Sequence, residues 1–218
     1  MRIFLDTANV DEIRHGVRLG VVSGVTTNPT LLAKEGKGSS SFKAAVQEIC
    51  SLVEGPVSAE VLSQDVEGMV REAREISSWA PNVIVKIPAV PEGLEAISTL
   101  AAQGVRCNCT LCFSVNQALL AALAGAAFVS PFVGRLDDEG HDGMALVADI
   151  VGVLESYKFS TQVIAASIRH PLHCVAAAQA GAHIATVPYK VLLQMVHHPL
   201  TDVGVARFRR DWERVRDS

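Results

Sequence analysis

The stretch that decides the fold runs from Val83 to Gly104 and begins with the apolar segment Val83-Ile84-Val85-Lys86-Ile87-Pro88. β-Branched residues dominate this segment, as they do in a strand that is buried on both faces. Apolar residues then recur at helical spacing until Gly104, a typical helix end: Leu94, Ile97, Leu100 and Ala101. The stretch therefore predicts one β-strand followed by one α-helix.

The same strand–helix unit recurs along the whole chain. Eight apolar runs, spaced by roughly 20–35 residues, begin near Ile3, Gly24, Pro56, Val83, Val105, Phe128, Gln162 and His183. Eight such units predict a (β/α)8 barrel, with residues 1–218 as a single domain. A doubly wound open sheet is the alternative, but it would place a Gly-rich phosphate loop where this chain has Asp6-Thr7-Ala8-Asn9.

One predicted helix, residues 201–217, is additional to the eight units. Val205, Phe208, Trp212 and Val215 give it an apolar face. Because the barrel needs no ninth helix, we expect this face to pack on a neighbouring subunit of a homo-oligomer.

Composition narrows the classes of partner and compartment. Apolar residues make up 49% and charged residues 19% of the chain, which excludes intrinsic disorder. The net charge is −4 and no basic cluster precedes the last dozen residues, so we expect no nucleic-acid partner. No apolar run approaches the ~20 residues of a membrane span, and no signal peptide is evident. Five cysteines, an odd number, favour the reducing cytoplasm.

Polar residues occupy the C-terminal ends of the predicted strands, where barrel active sites are built. Side chains two residues apart share a face of a strand. The pairs predicted to face inward are Ser58 with Glu60, Ile84 with Lys86, Asn108 with Thr110, Ser130 with Phe132, and Ala165 with Ser167. If that face is the barrel interior, one pocket collects Asp6, Asn28, Glu60, Lys86, Asn108, Thr110, Ser130 and Ser167.

Lys86 is the most informative of these residues, because lysine is almost never fully buried without a partner. Desolvation disfavours the ammonium and lowers its pKa, which leaves a nucleophilic amine near neutral pH. The alternative is a buried structural ion pair with Glu60 or Asp6. Both interpretations remain open at this point.

Asp6 and Glu60 place two carboxylates near this lysine. Carbonyl chemistry through an imine needs several proton transfers, for which two carboxylates in different surroundings are suited. The alternative is that Asp6 caps the following helix, or that either acid merely neutralises Lys86.

Arg135, Ser167 and Arg169 form a second group near the ends of strands six and seven. Two guanidinium groups and a hydroxyl suit a phosphate dianion. The alternative is two loop arginines paired with Asp137 and Asp138.

Three crowded cysteines, Cys107, Cys109 and Cys112, suggest a zinc site only superficially. No second cysteine pair stands at zinc-site spacing, so we predict no metal. The remaining candidate ligands are better explained by helix starts and turns: His170, His173, His197 and His198.

Six motifs, in order along nearly the whole chain, resemble the small single-domain transaldolases. They are Phe4-Leu5-Asp6-Thr7-Ala8-Asn9, Val25-Thr26-Thr27-Asn28-Pro29, Ser58-Ala59-Glu60-Val61, Val85-Lys86-Ile87-Pro88, Ser130-Pro131-Phe132-Val133-Gly134-Arg135 and Ala165-Ala166-Ser167-Ile168-Arg169-His170. The resemblance implies a class I aldolase barrel without metal or cofactor. It also implies rings of five subunits, or a decamer of two stacked rings.

The resemblance further implies a role for each site residue. Lys86 would form a Schiff base, Asp6 would act as acid and base at the bond to be broken, and Glu60 with Thr110 would move protons through a bound water. Asn28, Asn108 and Ser130 would hold hydroxyls of a three-carbon unit. Arg135, Ser167 and Arg169 would hold the phosphate of phosphorylated sugars.

The implied reaction transfers dihydroxyacetone from sedoheptulose 7-phosphate to glyceraldehyde 3-phosphate, within the non-oxidative pentose phosphate pathway. Fructose-6-phosphate aldolases on the same scaffold carry Gln where this chain has Glu60, and Tyr where it has Phe132. Both positions match the transaldolase type. A related class I aldolase, for example one acting on deoxyribose phosphate, and a non-catalytic phosphosugar-binding protein are further alternatives.

Overall fold

Eight parallel strands close into a barrel in a computed structural model that describes residues 1–36 and 39–216. Neighbouring strands follow chain order, and β8 pairs with β1 to close the ring. The strands are β1 Arg2–Asp6, β2 Val22–Thr26, β3 Val57–Glu60, β4 Val83–Pro88, β5 Cys107–Cys112, β6 Phe128–Pro131, β7 Gln162–Ala165 and β8 Ile184–Val187. The predicted (β/α)8 barrel is confirmed.

Helices follow every strand. They are α1 Val10–Arg18, α2 Pro29–Lys34, α3 Ser39–Leu52, α4 Val66–Ser77, α5 Pro91–Ala101, α6 Val115–Leu123, α7 Val133–Asp138, α8 Gly143–Ser156, α9 Pro171–Gln179, α10 Tyr189–Val196 and α11 Pro199–Arg216. Asn9 followed by Glu12, and Ser114 followed by Gln117, predict capped helix starts, and side-chain caps confirm both. Asn9 accepts hydrogen bonds from the backbone of Asp11 and Glu12, and Ser114 accepts one from Gln117.

The Gly/Ser-rich composition of residues 36–41 and the polar composition of residues 135–143 predict loops, but both segments contain helix. Within residues 135–143, α7 runs to Asp138, and Asp142 then caps α8 by accepting from the backbone of Met144 and Ala145. Residues 135–143 have no apolar stripe, because their polar side chains face solvent. The sequence pattern therefore did not reveal the short helix. Within residues 36–41, α3 begins at Ser39; residues 37 and 38 lie outside the described residues.

Two apolar layers contain most of the buried hydrophobic residues. The larger one lies between the strands and the surrounding helices. The smaller one alternates with it along the strands and fills the inside of the barrel: Phe4, Ile84, Phe128, Ile164 and Ile184. Two residues further along four of these strands stand polar residues: Asp6, Lys86, Ser130 and Thr186. The inner face therefore changes from apolar to polar towards the C-terminal ends of the strands.

On β7 the predicted inward pair was wrong. Ile164 belongs to the inner layer, so Ala165 points outward and packs with the helices. Ser167 still borders the site, because its backbone φ of 60° breaks the alternation just beyond the strand. A two-residue period holds only while the backbone stays extended.

The last helix, α11, has no buried side chain. Its apolar residues face solvent, with Phe208 73% and Trp212 67% exposed. The helix begins two residues before the predicted start, and position 217 lies outside the described residues. No helix within residues 1–36 and 39–216 is long and apolar enough to cross a membrane.

Candidate active site

The C-terminal ends of the strands surround a cavity of about 760 Å³, called the outer cavity here. An inner cavity of about 110 Å³ shares part of its lining, including Asp6, Lys86 and Ser167. The predicted residues that line the outer cavity are Asp6, Asn28, Glu60, Lys86, Phe132, Arg135, Ser167 and Arg169. Ser130 lines the inner cavity, whereas Asn108 and Thr110 are absent from both linings.

Lys86 lies at the floor of this site, with only 5% of its surface exposed. Its Nζ is 3.2 Å from Oε2 of Glu60 and donates a hydrogen bond of 3.1 Å to the carbonyl oxygen of Thr27. The sequence left open whether Lys86 faces a pocket or forms a buried ion pair. The structure has both features, since the ion pair borders the two cavities.

Asp6 ends β1 and lies among hydroxyl groups. Thr26 Oγ1 donates to Asp6 Oδ1 at 2.8 Å, and the hydroxyls of Thr26 and Thr186 are 2.6 Å apart. The alternative that Asp6 caps α1 is wrong, because Asn9 is the cap. Asp6 borders the cavity, but the surrounding protein displaces most bulk water. This burial raises the pKa of Asp6, and the nearby Lys86 ammonium and the Thr26 hydrogen bond only partly oppose it.

A buried chain of polar side chains continues from Lys86 around the barrel wall. Asn108 pairs with Lys86 across β4 and β5. Ser130 Oγ donates to Asn108 Oδ1 at 2.7 Å, and Asn108 Nδ2 lies 3.5 Å from Ser58 Oγ, which it can reach as a donor. The contacts fix the Asn108 amide with its oxygen towards β6 and its nitrogen towards β3.

The end of β5 has an irregular backbone. Its pairing with β6 shifts register between Cys109 and Cys112, and Leu111, which lines the outer cavity, has a φ of 54°. Such a conformation costs of order 1–3 kcal/mol for a non-glycine residue and is common at functional sites. Thr110, just before it, is fully buried, and its hydroxyl finds no hydrogen-bond partner among the described residues.

The predicted phosphate group occupies one side of the outer cavity. Arg135 lies in α7, and its guanidinium carbon is 4.9 Å from the centre of the Phe132 ring. Arg169 forms an ion pair with Asp138 at 2.6 Å. The alternative of arginines paired with loop acids is therefore correct for Arg169, whereas Arg135 has no carboxylate partner in the part of the chain that the structure describes.

Gly134 allows the two arginine-bearing segments to approach closely. A Cβ at this position would lie 2.3 Å from the carbonyl oxygen of Ser167 and 2.4 Å from Nε of Arg169. The backbone N–H of Gly134 instead donates to that carbonyl at 3.1 Å. Only glycine fits here without displacing Ser167.

Sequence reasoning missed several residues of the site. Lys34 and Lys190 line the outer cavity, but a single exposed lysine on a helix carries no sequence signal. Thr26 and Thr186 could have been found, because each stands on the inner face at the end of its strand.

The cysteines lie away from both cavities. All five are buried, and Cys107, Cys109 and Cys112 pack in the layer between strands and helices. Burial raises the pKa of Cys107 and Cys109 to about 12. Among the described residues, no three His, Cys, Asp or Glu side chains are grouped to hold a metal ion.

Comparisons with known proteins agree over the full length. The family model described as Transaldolase/Fructose-6-phosphate aldolase matches residues 3–218. The chain is 69% identical over 217 residues to a "Probable transaldolase" of Dehalococcoides mccartyi, covering 99% of this chain and 100% of the relative. Proteins of the same name from Desulforudis audaxviator and Heliobacterium modesticaldum are 63% and 59% identical over 216 and 217 residues, covering at least 99% of each chain.

Proposed function

This chain belongs to the transaldolase/fructose-6-phosphate aldolase family, and from that membership we propose that it is a transaldolase acting through a Schiff base on Lys86. The observation that carries the proposal is the position of the Lys86 Nζ. It lies beside the Glu60 carboxylate at the floor of a cavity that also contains Asp6 and opens towards Arg135.

The first step joins the substrate to the enzyme. Lys86 passes a proton to Glu60, its nearest carboxylate at 3.2 Å, and the free amine attacks the ketose carbonyl. The carbinolamine oxygen takes up protons and leaves as water, which gives an iminium. The buried Thr110 hydroxyl, which has no protein partner among the described residues, is suited to hold a water that shares in these proton transfers.

The second step breaks a carbon–carbon bond. Asp6 takes the proton of the hydroxyl next to that bond, the bonding electrons move to the iminium, and an aldose phosphate leaves. The remaining three-carbon enamine stays attached to Lys86. An incoming aldose phosphate accepts the enamine carbon, Asp6 returns its proton to the new hydroxyl, and hydrolysis of the imine restores the lysine.

The rest of the site would orient the sugar. Oδ1 of the Asn28 side chain caps α2 by accepting the backbone N–H of Leu31 at 2.9 Å. The side-chain nitrogen of Asn28 is therefore the group left for substrate hydroxyls. Asn108 and Ser130 would hold the three-carbon unit from the opposite wall. Arg135, Ser167 and Arg169 would bind the phosphate, with Arg169 partly neutralised by Asp138.

Trapping with borohydride tests the mechanism. Reduction in the presence of fructose 6-phosphate should add one three-carbon unit to Lys86, as located by peptide mass spectrometry. A substrate-dependent adduct on another lysine, or none, would refute the Schiff base. A coupled assay should show transfer from fructose 6-phosphate to erythrose 4-phosphate, consistent with a place in the non-oxidative pentose phosphate pathway.

Fructose-6-phosphate aldolase is the second candidate, since the family model includes both activities. The transaldolase is favoured by Phe132, which lines the inner cavity and offers no hydroxyl to protonate the enamine. Faster release of free dihydroxyacetone than transfer to erythrose 4-phosphate would favour the aldolase. Aldehyde release from deoxyribose phosphate would indicate a different class I aldolase, and phosphosugar binding without turnover a non-catalytic protein.

We also propose that the chain works as a homo-oligomer in the cytoplasm. On the apolar face of α11, Phe208 is 73% and Trp212 is 67% exposed. A second copy of the chain is the partner we expect, with a pentamer or decamer as the implied assembly.

A further inference from the structure

His173 joins the two segments that carry the arginines of the outer cavity. It lies in α9, and its Nδ1 accepts the backbone N–H of Arg169 at 3.3 Å. Its Nε2 lies 3.1 Å from Oδ2 of Asp137, which is in α7 two residues after Arg135. One imidazole therefore connects the backbone of one arginine to the helix of the other.

The hydrogen bonds define the state of this imidazole. Nδ1 can accept from Arg169 only when it carries no proton, so the hydrogen lies on Nε2 and is donated to Asp137. Burial lowers the pKa of His173, and the neighbouring His170 and Arg169 lower it further against the opposing effect of Asp137. The neutral form is the one that makes both bonds.

Asp137 is itself held in place. Its other carboxylate oxygen, Oδ1, accepts the backbone N–H of Gly143 at 2.9 Å, at the start of α8. His173 is 13% exposed and does not line either cavity. It cannot reach a substrate in the cavity, so any influence on one must pass through Arg169 and α7.

We propose that His173 is a positioning residue that sets the spacing of Arg135 and Arg169 for a phosphate group. The proposal rests on the proposed function only in assigning the phosphate to these two arginines. Bidentate recognition by two guanidinium groups depends on their separation, and small misplacements of binding groups have large effects. The segments remain joined near Gly134 without His173, because Val133 and Gly134 donate to the carbonyls of Ala166 and Ser167 at 3.0 and 3.1 Å.

The test compares His173→Ala with the full-length wild-type protein, and uses inorganic phosphate as the first probe. Calorimetric titration should give a dissociation constant about tenfold weaker for the variant. His173→Asn places an acceptor near the backbone N–H of Arg169, and His173→Gln places a donor near Asp137. Each variant should therefore recover part of the lost phosphate affinity. His170→Ala is the packing control: it removes the imidazole that lies 3.8 Å from the His173 ring and makes neither bond, and its phosphate affinity should fall much less than that of His173→Ala.

Kinetics then separate positioning from general damage. For His173→Ala, KM for erythrose 4-phosphate should rise about tenfold, while kcat and the KM for unphosphorylated erythrose stay unchanged. Three results would overturn the proposal. They are an equal rise of KM for erythrose 4-phosphate and for erythrose, an unchanged phosphate affinity of His173→Ala, or an equal loss of phosphate affinity in His170→Ala. If His173→Ala does not fold, the Asn and Gln variants give the same comparison. Phosphate binding that depends on His173 in a protein without transferase activity would refute the proposed function alone.

Discussion

Nζ of Lys86 and Oε2 of Glu60 lie 3.2 Å apart because the register of β3 and β4 makes these two residues direct neighbours on adjacent strands. The nucleophile proposed here thus has its proton acceptor on the adjacent strand. The same contact neutralises a cation that is almost entirely removed from solvent. The register of β3 and β4 therefore contributes both to the stability of the fold and to the proposed proton transfer. Substitutions can separate these two contributions.

Replacing Lys86 with methionine should abolish transfer and the borohydride adduct while the barrel still folds. Methionine fills a similar volume, but it breaks the buried ion pair with Glu60, so the melting temperature should fall by an amount that corresponds to at most ~3–5 kcal/mol. Mass spectrometry and thermal melting followed by circular dichroism measure the two effects. Lys190→Met removes another lysine of the outer cavity and should keep the adduct on Lys86.

Replacing Asp6 with asparagine should raise the melting temperature at neutral pH and stop carbon–carbon bond cleavage. Because burial raises the pKa of Asp6, the folded state binds this proton more tightly than the unfolded state does. The resulting stability is complete below the ordinary carboxyl pKa of 3.8 and is lost as the pH rises through the higher value of the folded protein. Asparagine cannot ionise and can still accept from Thr26.

The pH series supplies the control for Asp6. The gain in melting temperature should shrink as the pH falls through the raised pKa of Asp6 in the folded wild type, because the carboxyl becomes protonated there. The acid limb of kcat/KM for wild type should lie above 3.8, since Asp6 must be ionised to act as a base. A gain that stays constant with pH would contradict this account.

Replacing Phe132 with tyrosine should shift the enzyme from transfer of the three-carbon unit towards its release as free dihydroxyacetone. The new hydroxyl would border the inner cavity and could protonate the enamine, so acceptor-independent release of dihydroxyacetone from fructose 6-phosphate should increase at least about tenfold. Phe113→Tyr makes the same chemical change on a ring that meets Phe132 edge-on at 5.8 Å but does not line the cavity. Release by that variant should stay at the wild-type level.

Charges placed on the apolar face of α11 should dissociate the proposed oligomer. Phe208→Asp with Trp212→Asp should give a monomer in light scattering coupled to size exclusion, since buried charges oppose association. Arg210→Asp, on the opposite side of the same helix, should leave the assembly intact. A wild-type protein that is monomeric at micromolar concentration would contradict the assignment of this face.

The five thiols should be inert while the protein is folded. They are buried, and burial raises the pKa of Cys50 and Cys174 to about 11, so little thiolate forms at neutral pH. Ellman's reagent should label none of them in native protein and all five after denaturation. Rapid labelling of native protein would show local opening of the layer between strands and helices.

Much of the barrel could be predicted from local pattern. The apolar runs and their glycine ends are properties of neighbouring residues, and the inward position of Lys86 follows from the two-residue period of a strand. The error at Ala165 arose where Ser167 leaves the extended backbone, a change that composition does not reveal. His173 was interpreted as part of a helix start, because its link to Asp137 depends on how α7 and α9 are placed by the closed barrel.

The exposure of α11 also has a practical consequence for anyone who produces this protein. The helix ends the described chain, and its apolar side chains lie within the last two dozen positions. An affinity tag or fluorescent fusion attached after it would sit beside the proposed contact surface and could cap or crowd it. Fusions are better placed ahead of β1, at the rim opposite the substrate entrance.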